Sequence, residues 1–192
     1  MNLHAICARN RINSNETLES IIHRWSPRNM NGEAVTVDEL KPLFEAAHWA
    51  PSSFNNQPWR FYYALKGTKE FQILFDLLVE KNQQWCKNAG CLVILVSKTT
   101  FDHDRSPMRT HAFDTGAAWH AFAIEGIRRG LVVHGMAGFN YDAAAKVLAL
   151  GEEYHINCMI AVGKPAPEVE KEAITQRKLI DDIAIPYKRS ES

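Results

Sequence analysis

Residues 91–97, CLVILVS, leave the chain little freedom, because positions 92–96 are apolar without a break. A strand with one wet face alternates apolar and polar residues; one that is apolar throughout has no wet face and reads as a buried strand. Five residues are too few to span a bilayer, so the run is core and not a membrane segment.

Helical and strand-like patterns interleave around it. Residues 16–24 carry Leu18, Ile21 and Ile22 at helical spacing. Thr36 followed by Glu39 is a capping-box pattern, and Leu40, Leu43, Phe44 and Ala47 make an amphipathic stripe behind it, although Pro42 argues for a later start. Residues 60–65 are strand-like, 71–80 helical, 131–134 and 156–162 strand-like, with a helix at 141–148. The helix at 112–129 is apolar nearly all round and includes Gly116, Ala117, Ala118 and Ala121, small enough for another backbone to approach. The pattern is α+β, without repeats.

At 192 residues the chain is one domain, or one subunit whose core a partner completes. We expect a flexible segment at 1–15, a single domain at 16–192 and loosely held final residues KRSES. Lys and Arg (22) balance Asp and Glu (22), so no bulk field recruits nucleic acid or an anionic membrane, and any anion site is local. Four cysteines without a CxxC pair and no signal-peptide pattern lead us to expect reduced thiols and a cytoplasmic protein.

Familiar nucleotide, hydrolase and metal motifs are absent. His103, Asp104, His111, Asp114 and His120 match no ligand spacing, and no histidine is visibly paired with Cys86 or Cys158, so we expect neither a metal nor a catalytic nucleophile. What stands out is binding chemistry. Arg24, Ser26 and Arg28 alternate in HRWSPRN, which in an extended segment aims two guanidinium groups and a hydroxyl the same way, towards a phosphate. On spacing alone a solvated basic turn is the commoner outcome. The loop APSSFNNQPW, residues 50–59, holds Asn55, Asn56 and Gln57, each a donor and an acceptor, between stiffening prolines Pro51 and Pro58. Such groups suit the edge of a planar heterocycle; an amide-rich turn closing a helix uses the same residues.

Taken together and in order, these blocks resemble the nitroreductase family of FMN oxidoreductases. Arg24, Trp25, Ser26, Pro27 and Arg28 are similar to its RxSxR motif, and residues 50–59 to its APSxxNxQPW block. Asn82 to Trp85 resemble NQxW, Asp114 to Ala118 resemble DxGxA, His134 to Phe139 resemble HxMxGF, and Arg177, Lys178 and Ile183 resemble the RKPLxEI tail.

The resemblance implies an α+β, nitroreductase-like fold: a mixed, mostly antiparallel central sheet wrapped by helices, homodimeric, with FMN at the interface. By motif, Arg24, Ser26, Arg28, Arg177 and more weakly Lys178 would face the phosphate, with Trp25 between them. Pro51, Ser52, Ser53, Asn55 and Gln57 would line the ring or ribityl chain, Asn82 would read the pyrimidine edge, and Ala137 and Gly138 would approach the ring. The implied activity is ping-pong transfer from NADH or NADPH to a nitroaromatic, quinone or related small acceptor, with no catalytic side chain required. A flavin-sequestering protein with little turnover, or a dehalogenase, azoline oxidase or flavin-fragmenting relative, would look the same in sequence. Departures from the pattern are Asn29 and Met30 after the clamp, Gly90, Leu179 in the tail, and Trp119 with His120 in the long helix. Residues 99–111 would be either a lid or a plain connection.

Overall fold

The computed structural model describes residues 2–11, 13 and 15–187; the expected loose end KRSES lies outside them. Four strands form one antiparallel sheet in the order β1-β2-β4-β3: β1 Trp59–Leu65, β2 Cys91–Lys98, β3 Val132–Met136 and β4 Tyr154–Gly163. Every pairing is antiparallel, so the mixed character the resemblance allowed is not found among the described strands.

All eight residues of β2 are buried. Their alternation sorts them into two cores. Leu92, Ile94 and Val96 face Met159, Ala161 and Met136 on one side, with Phe71 and Leu74 of α4 (Lys69–Asp76) and Ala144 of α7 (Tyr141–Val147). Cys91, Val93 and Leu95 face Ile160 and Val162 on the other, with Leu40 and Leu43 of α3 (Val37–His48) and Phe122 of α6 (His111–Arg128). Covering both faces satisfies a strand with no polar side. Phe122 is fully buried, stacked on Phe61 at 5.4 Å and packed on Phe44 at 5.5 Å. Phe122→Ala is expected to destabilise the fold by about 3–5 kcal/mol, read from the urea midpoint; a loss under about 1 kcal/mol would mean this core is looser than its burial indicates.

Helix boundaries differ from the sequence reading for local reasons. The first predicted helix contracts to α2, Glu19–Ile22, because Glu16 adopts a positive φ of 52°. α3 starts at Val37, on the Thr36–Glu39 capping box, and tolerates Pro42: the backbone carbonyl that loses its partner belongs to Asp38, which is exposed to water. The predicted 71–80 helix is two, α4 and α5 (Glu80–Cys86), separated where Leu78 bridges to Phe139. The segment expected to be loose to residue 15 contains α1, Leu3–Ala8, with Leu3 and Cys7 buried in the core. Among the described residues, no helix is long and apolar enough to cross a membrane.

Candidate functional site

After α2 the chain runs without regular structure through the clamp sequence. Trp25 and Pro27 turn inward and are buried, while Arg24, Ser26 and Arg28 remain at least partly exposed on the other side. This is the alternation that the extended reading requires. Trp25 donates its indole N–H to the Leu3 carbonyl at 3.3 Å, so it anchors the segment. Arg24 donates to the Ser26 hydroxyl at 3.1 Å, and the Arg28 guanidinium lies 5.9 Å from the Trp85 ring centre.

Arg24, Ser26, Arg28 and Arg177 line one cavity of about 250 Å³, together with Arg11, His134 and Glu172. Lys178 is exposed and lines none of the cavities described here. Burial depresses the Arg24 pKa, and the neighbouring Arg177 and Arg11 depress it further: cations have been gathered close enough to repel one another. Glu172 does not neutralise them head-on. Its carboxylate accepts from the backbone N–H groups of Arg28 and Asn29 and from the Asn29 side chain at 2.7–3.0 Å, fixing the turn that follows the clamp. That contact gives Asn29, one of the departures from the family pattern, a use. Met30, another, is buried in the core.

The clamp is also held from β3. The His134 Nδ1 lies 2.9 Å from the Ser26 carbonyl and 3.1 Å from that of Pro27; carbonyls only accept, so Nδ1 carries the proton. Burial, assisted by Arg28, pushes the His134 pKa below its ordinary 6.5, against the two carbonyl bonds. His4, His111 and His120 shift the same way, chiefly by burial. The unfolded chain therefore binds protons at a higher pH than the folded one, so stability is full above 6.5 and falls as pH drops below it. Urea midpoints should decline between pH 7.5 and 5, and His134→Gln should flatten part of that slope; a flat profile in the wild type would contradict the burial assigned to these rings.

Beside the clamp a second cavity, about 580 Å³, is lined by Arg24, Ser26, Trp119, His120, Gly135, Met136, Ala137 and Cys158. Within it the Trp119 indole packs directly on Gly135, where a Cβ would lie 2.9 Å from the ring. Trp119 and His120, both departures from the family pattern, are thus its distinguishing side chains. Burial pushes the Cys158 thiol up to about 12, and Cys86 likewise, which favours the protonated thiol at neutral pH. Next to Ala137, Gly138 has no room for a side chain, since a Cβ would lie 2.6 Å from Asn82 Nδ2. Asn82 donates to the Gly138 carbonyl at 3.0 Å and accepts from the Trp85 indole at 3.3 Å, which leaves one amide hydrogen and one lone pair for another partner.

The amide loop lies elsewhere. It follows α3 as a 3-10 turn, Ser53–Asn55, with Phe54, Asn55 and Gln57 all at positive φ, near 50°. Such backbone is strained in residues with a side chain and persists where the surroundings impose it. The imposing contacts are visible. Ser52 Oγ accepts from the Gln57 N–H at 3.0 Å, Asp114 accepts from the Ser53 N–H at 2.9 Å, and Asn56 Oδ1 accepts from the Asp102 N–H at 2.9 Å. Asp114 also accepts from Thr110 at 3.1 Å; it is the buried first residue of the DxGxA block, and its role as the brace of this loop had no signal in spacing alone. Asp102 belongs to the 99–111 connection, which closes on itself through a Thr100–Pro107 bridge.

None of Pro51, Ser52, Ser53, Asn55 or Gln57 lines the clamp cavities. The sheet order explains this: the loop precedes β1 and Ala137 follows β3, at opposite edges, three strand spacings or roughly 14 Å apart. The clamp and the amide loop are therefore separate features of one chain. Between them the outer face of α6 is open, with Phe113 80% exposed and nothing within 4 Å of the space a Gly116 Cβ would take.

No curated protein matches the chain in sequence. Among solved structures, an oxidoreductase containing FMN shares 33% identity and superposes with a TM-score of 0.87, covering 93% of this chain and 96% of its own. A protein from Desulfovibrio desulfuricans, solved in complex with FMN, shares 21% identity at TM-score 0.73, covering 92% of this chain and 99% of that one. A Parabacteroides distasonis protein assigned as an NADH dehydrogenase/NAD(P)H nitroreductase shares 21% at TM-score 0.72, covering 91% and 99%. The two more distant structures establish the shared fold. The family model for nitroreductases matches residues 21–72 and 63–164, a span that includes the clamp, the amide loop, the covered sheet and the β3 exit. This chain belongs to the nitroreductase family.

Proposed function

We propose that the chain is an FMN-dependent oxidoreductase that works as a homodimer with composite flavin sites. The observation that carries the reading is the gathering of Arg24, Arg28 and Arg177 around one small cavity that opens beside the Trp119–Ala137 cleft. A phosphate dianion suits three guanidinium groups gathered at one cavity, and a flat ring suits the open cleft beside the Trp119 indole and the backbone of Met136 and Ala137.

In this reading Arg24, Ser26, Arg28 and Arg177 hold the phosphate, and Ala137 with Gly138 approaches the ring, where Asn82 has one donor and one acceptor free. Pro51, Ser52, Ser53, Asn55 and Gln57 come from the other protomer and close the site from the opposite side. The exposed Phe113 and Gly116 on α6, and the exposed Leu179, Ile180, Ile183 and Ile185 of the tail, are the apolar surface that association covers. When bound, FMN supplies the redox chemistry, taking hydride from NADH or NADPH and passing electrons to a nitroaromatic, quinone or related small acceptor in a ping-pong cycle. The protein's part is to bind, orient and shield, and Trp119 and His120 set which acceptor fits.

The test is the visible spectrum of the purified protein, followed by anaerobic NADH and then NADPH. Yellow protein that bleaches supports the proposal and names the donor. Flavin that neither nucleotide reduces identifies a sequestering protein instead, and colourless protein that cannot be loaded with FMN overturns the flavin reading.

A further inference from the structure

The family model begins at residue 21, and nothing in the proposed function uses the residues before it. Yet those residues are fastened to the clamp at three points. The Leu3 carbonyl holds the Trp25 indole, the Cys7 thiol lies 3.6 Å from the Ile22 carbonyl, and a single Arg11 guanidinium nitrogen donates to the carbonyls of both Ile22 and Arg24, the latter at 2.8 Å. Ile22 ends α2 and Arg24 opens the clamp, so Arg11 fixes the angle at which the chain passes from one to the other.

Arg11 has more to offer than those two bonds. Its Nε and second terminal nitrogen are buried with no partner among the described residues. Its side chain lines both the 250 Å³ clamp cavity and an adjoining one of about 630 Å³ that also contains Arg24, His120 and Arg177. Four arginines thus surround the clamp cavity, against the single carboxylate of Glu172, which is taken up by backbone and amide donors. A buried guanidinium without a counter-charge is costly, and an anion in the adjoining cavity relieves that cost.

We propose that Arg11 is a positioning residue of the phosphate clamp: it sets the Arg24 backbone and adds a fixed positive charge behind it, making anion affinity depend on the N-terminal segment. The inference rests on the flavin reading for its ligand but on the geometry of residues 3–28 for its substance. Arg11 acts through Arg24 and through the field, so its effect should follow the phosphate and not the ring.

The experiment compares the dissociation constants of FMN and riboflavin for the full-length wild type, Arg11→Lys and Arg11→Met, with circular dichroism confirming the fold of each. Arg11→Met should weaken FMN by on the order of ten-fold while riboflavin, which lacks the phosphate, shifts less than about two-fold. Arg11→Lys, with the charge but not the paired geometry, should fall between them and serves as the test if the methionine variant does not fold. Equal losses for both flavins, or no loss of FMN, would overturn the proposal. If the wild type binds neither flavin, the flavin reading fails on its own; thermal stabilisation by inorganic phosphate then decides the matter for Arg11. Stabilisation that Arg11→Lys or Arg11→Met diminishes upholds its role, and stabilisation that is absent in the wild type or unchanged by the substitutions ends it.

Discussion

Replacing Arg24 by alanine is expected to weaken FMN binding by about 1.5–3 kcal/mol, roughly a ten- to hundred-fold rise in Kd. Arg24 is the residue to choose because it lines all three adjoining cavities, donates to Ser26, and is held by its own backbone carbonyl to Arg11. Arg28 is more exposed and lies over Trp85, so Arg28→Ala should cost less and fall more steeply with salt. The measurement is flavin fluorescence quenching across an FMN titration, with riboflavin as the control. An FMN affinity that survives Arg24→Ala would remove the phosphate from this cavity and with it the strongest support for the proposed cofactor.

Much of this arrangement was legible in the sequence because its signals are local. The unbroken run in CLVILVS dictates a strand covered on both faces, and β2 is that strand. The i, i+2, i+4 spacing of Arg24, Ser26 and Arg28 is compatible with one side of an extended segment but on its own favours a solvated turn; the burial of Trp25 and Pro27 on the other side is what shows the extended alternation. The Thr36–Glu39 box overrode Pro42 because a cap contributes at the first turn, while the proline removes only a bond to an exposed carbonyl.

What could not be read depends on contacts between distant residues. Arg11 reaches carbonyls 11 and 13 positions away, Asp114 braces a loop 61 positions away, and Glu172 ties a turn 144 positions away. Apart from the Asn29 side chain, which Glu172 also holds, their partners here are backbone groups, which carry no residue identity, so no spacing or composition betrays them. The same applies to α1: six residues give too little periodicity to separate a docked helix from a loose terminus. The separation of the clamp from the amide loop was equally hidden, because it follows from the strand order and not from any property of the motifs.

That separation leads to an all-or-none expectation. A clamp variant, Arg24→Ala with Arg28→Ala, and a loop variant, Asn55→Ala with Gln57→Ala, should each purify largely without flavin. Co-expressed with two different tags and isolated as the mixed dimer, they should regain roughly half the wild-type flavin per dimer. In a composite site, the clamp of the loop variant meets the loop of the clamp variant, giving one intact site and one doubly defective one. If each site were built from a single chain, every site in the mixed dimer would carry a defect and flavin would stay absent. If the chains did not associate, no mixed dimer would be recovered at all. Flavin content of the doubly tagged species therefore separates the three architectures. The composite outcome is the one favoured by a clamp and an amide loop at opposite edges of the sheet, with the open, small-residue face of α6 between them.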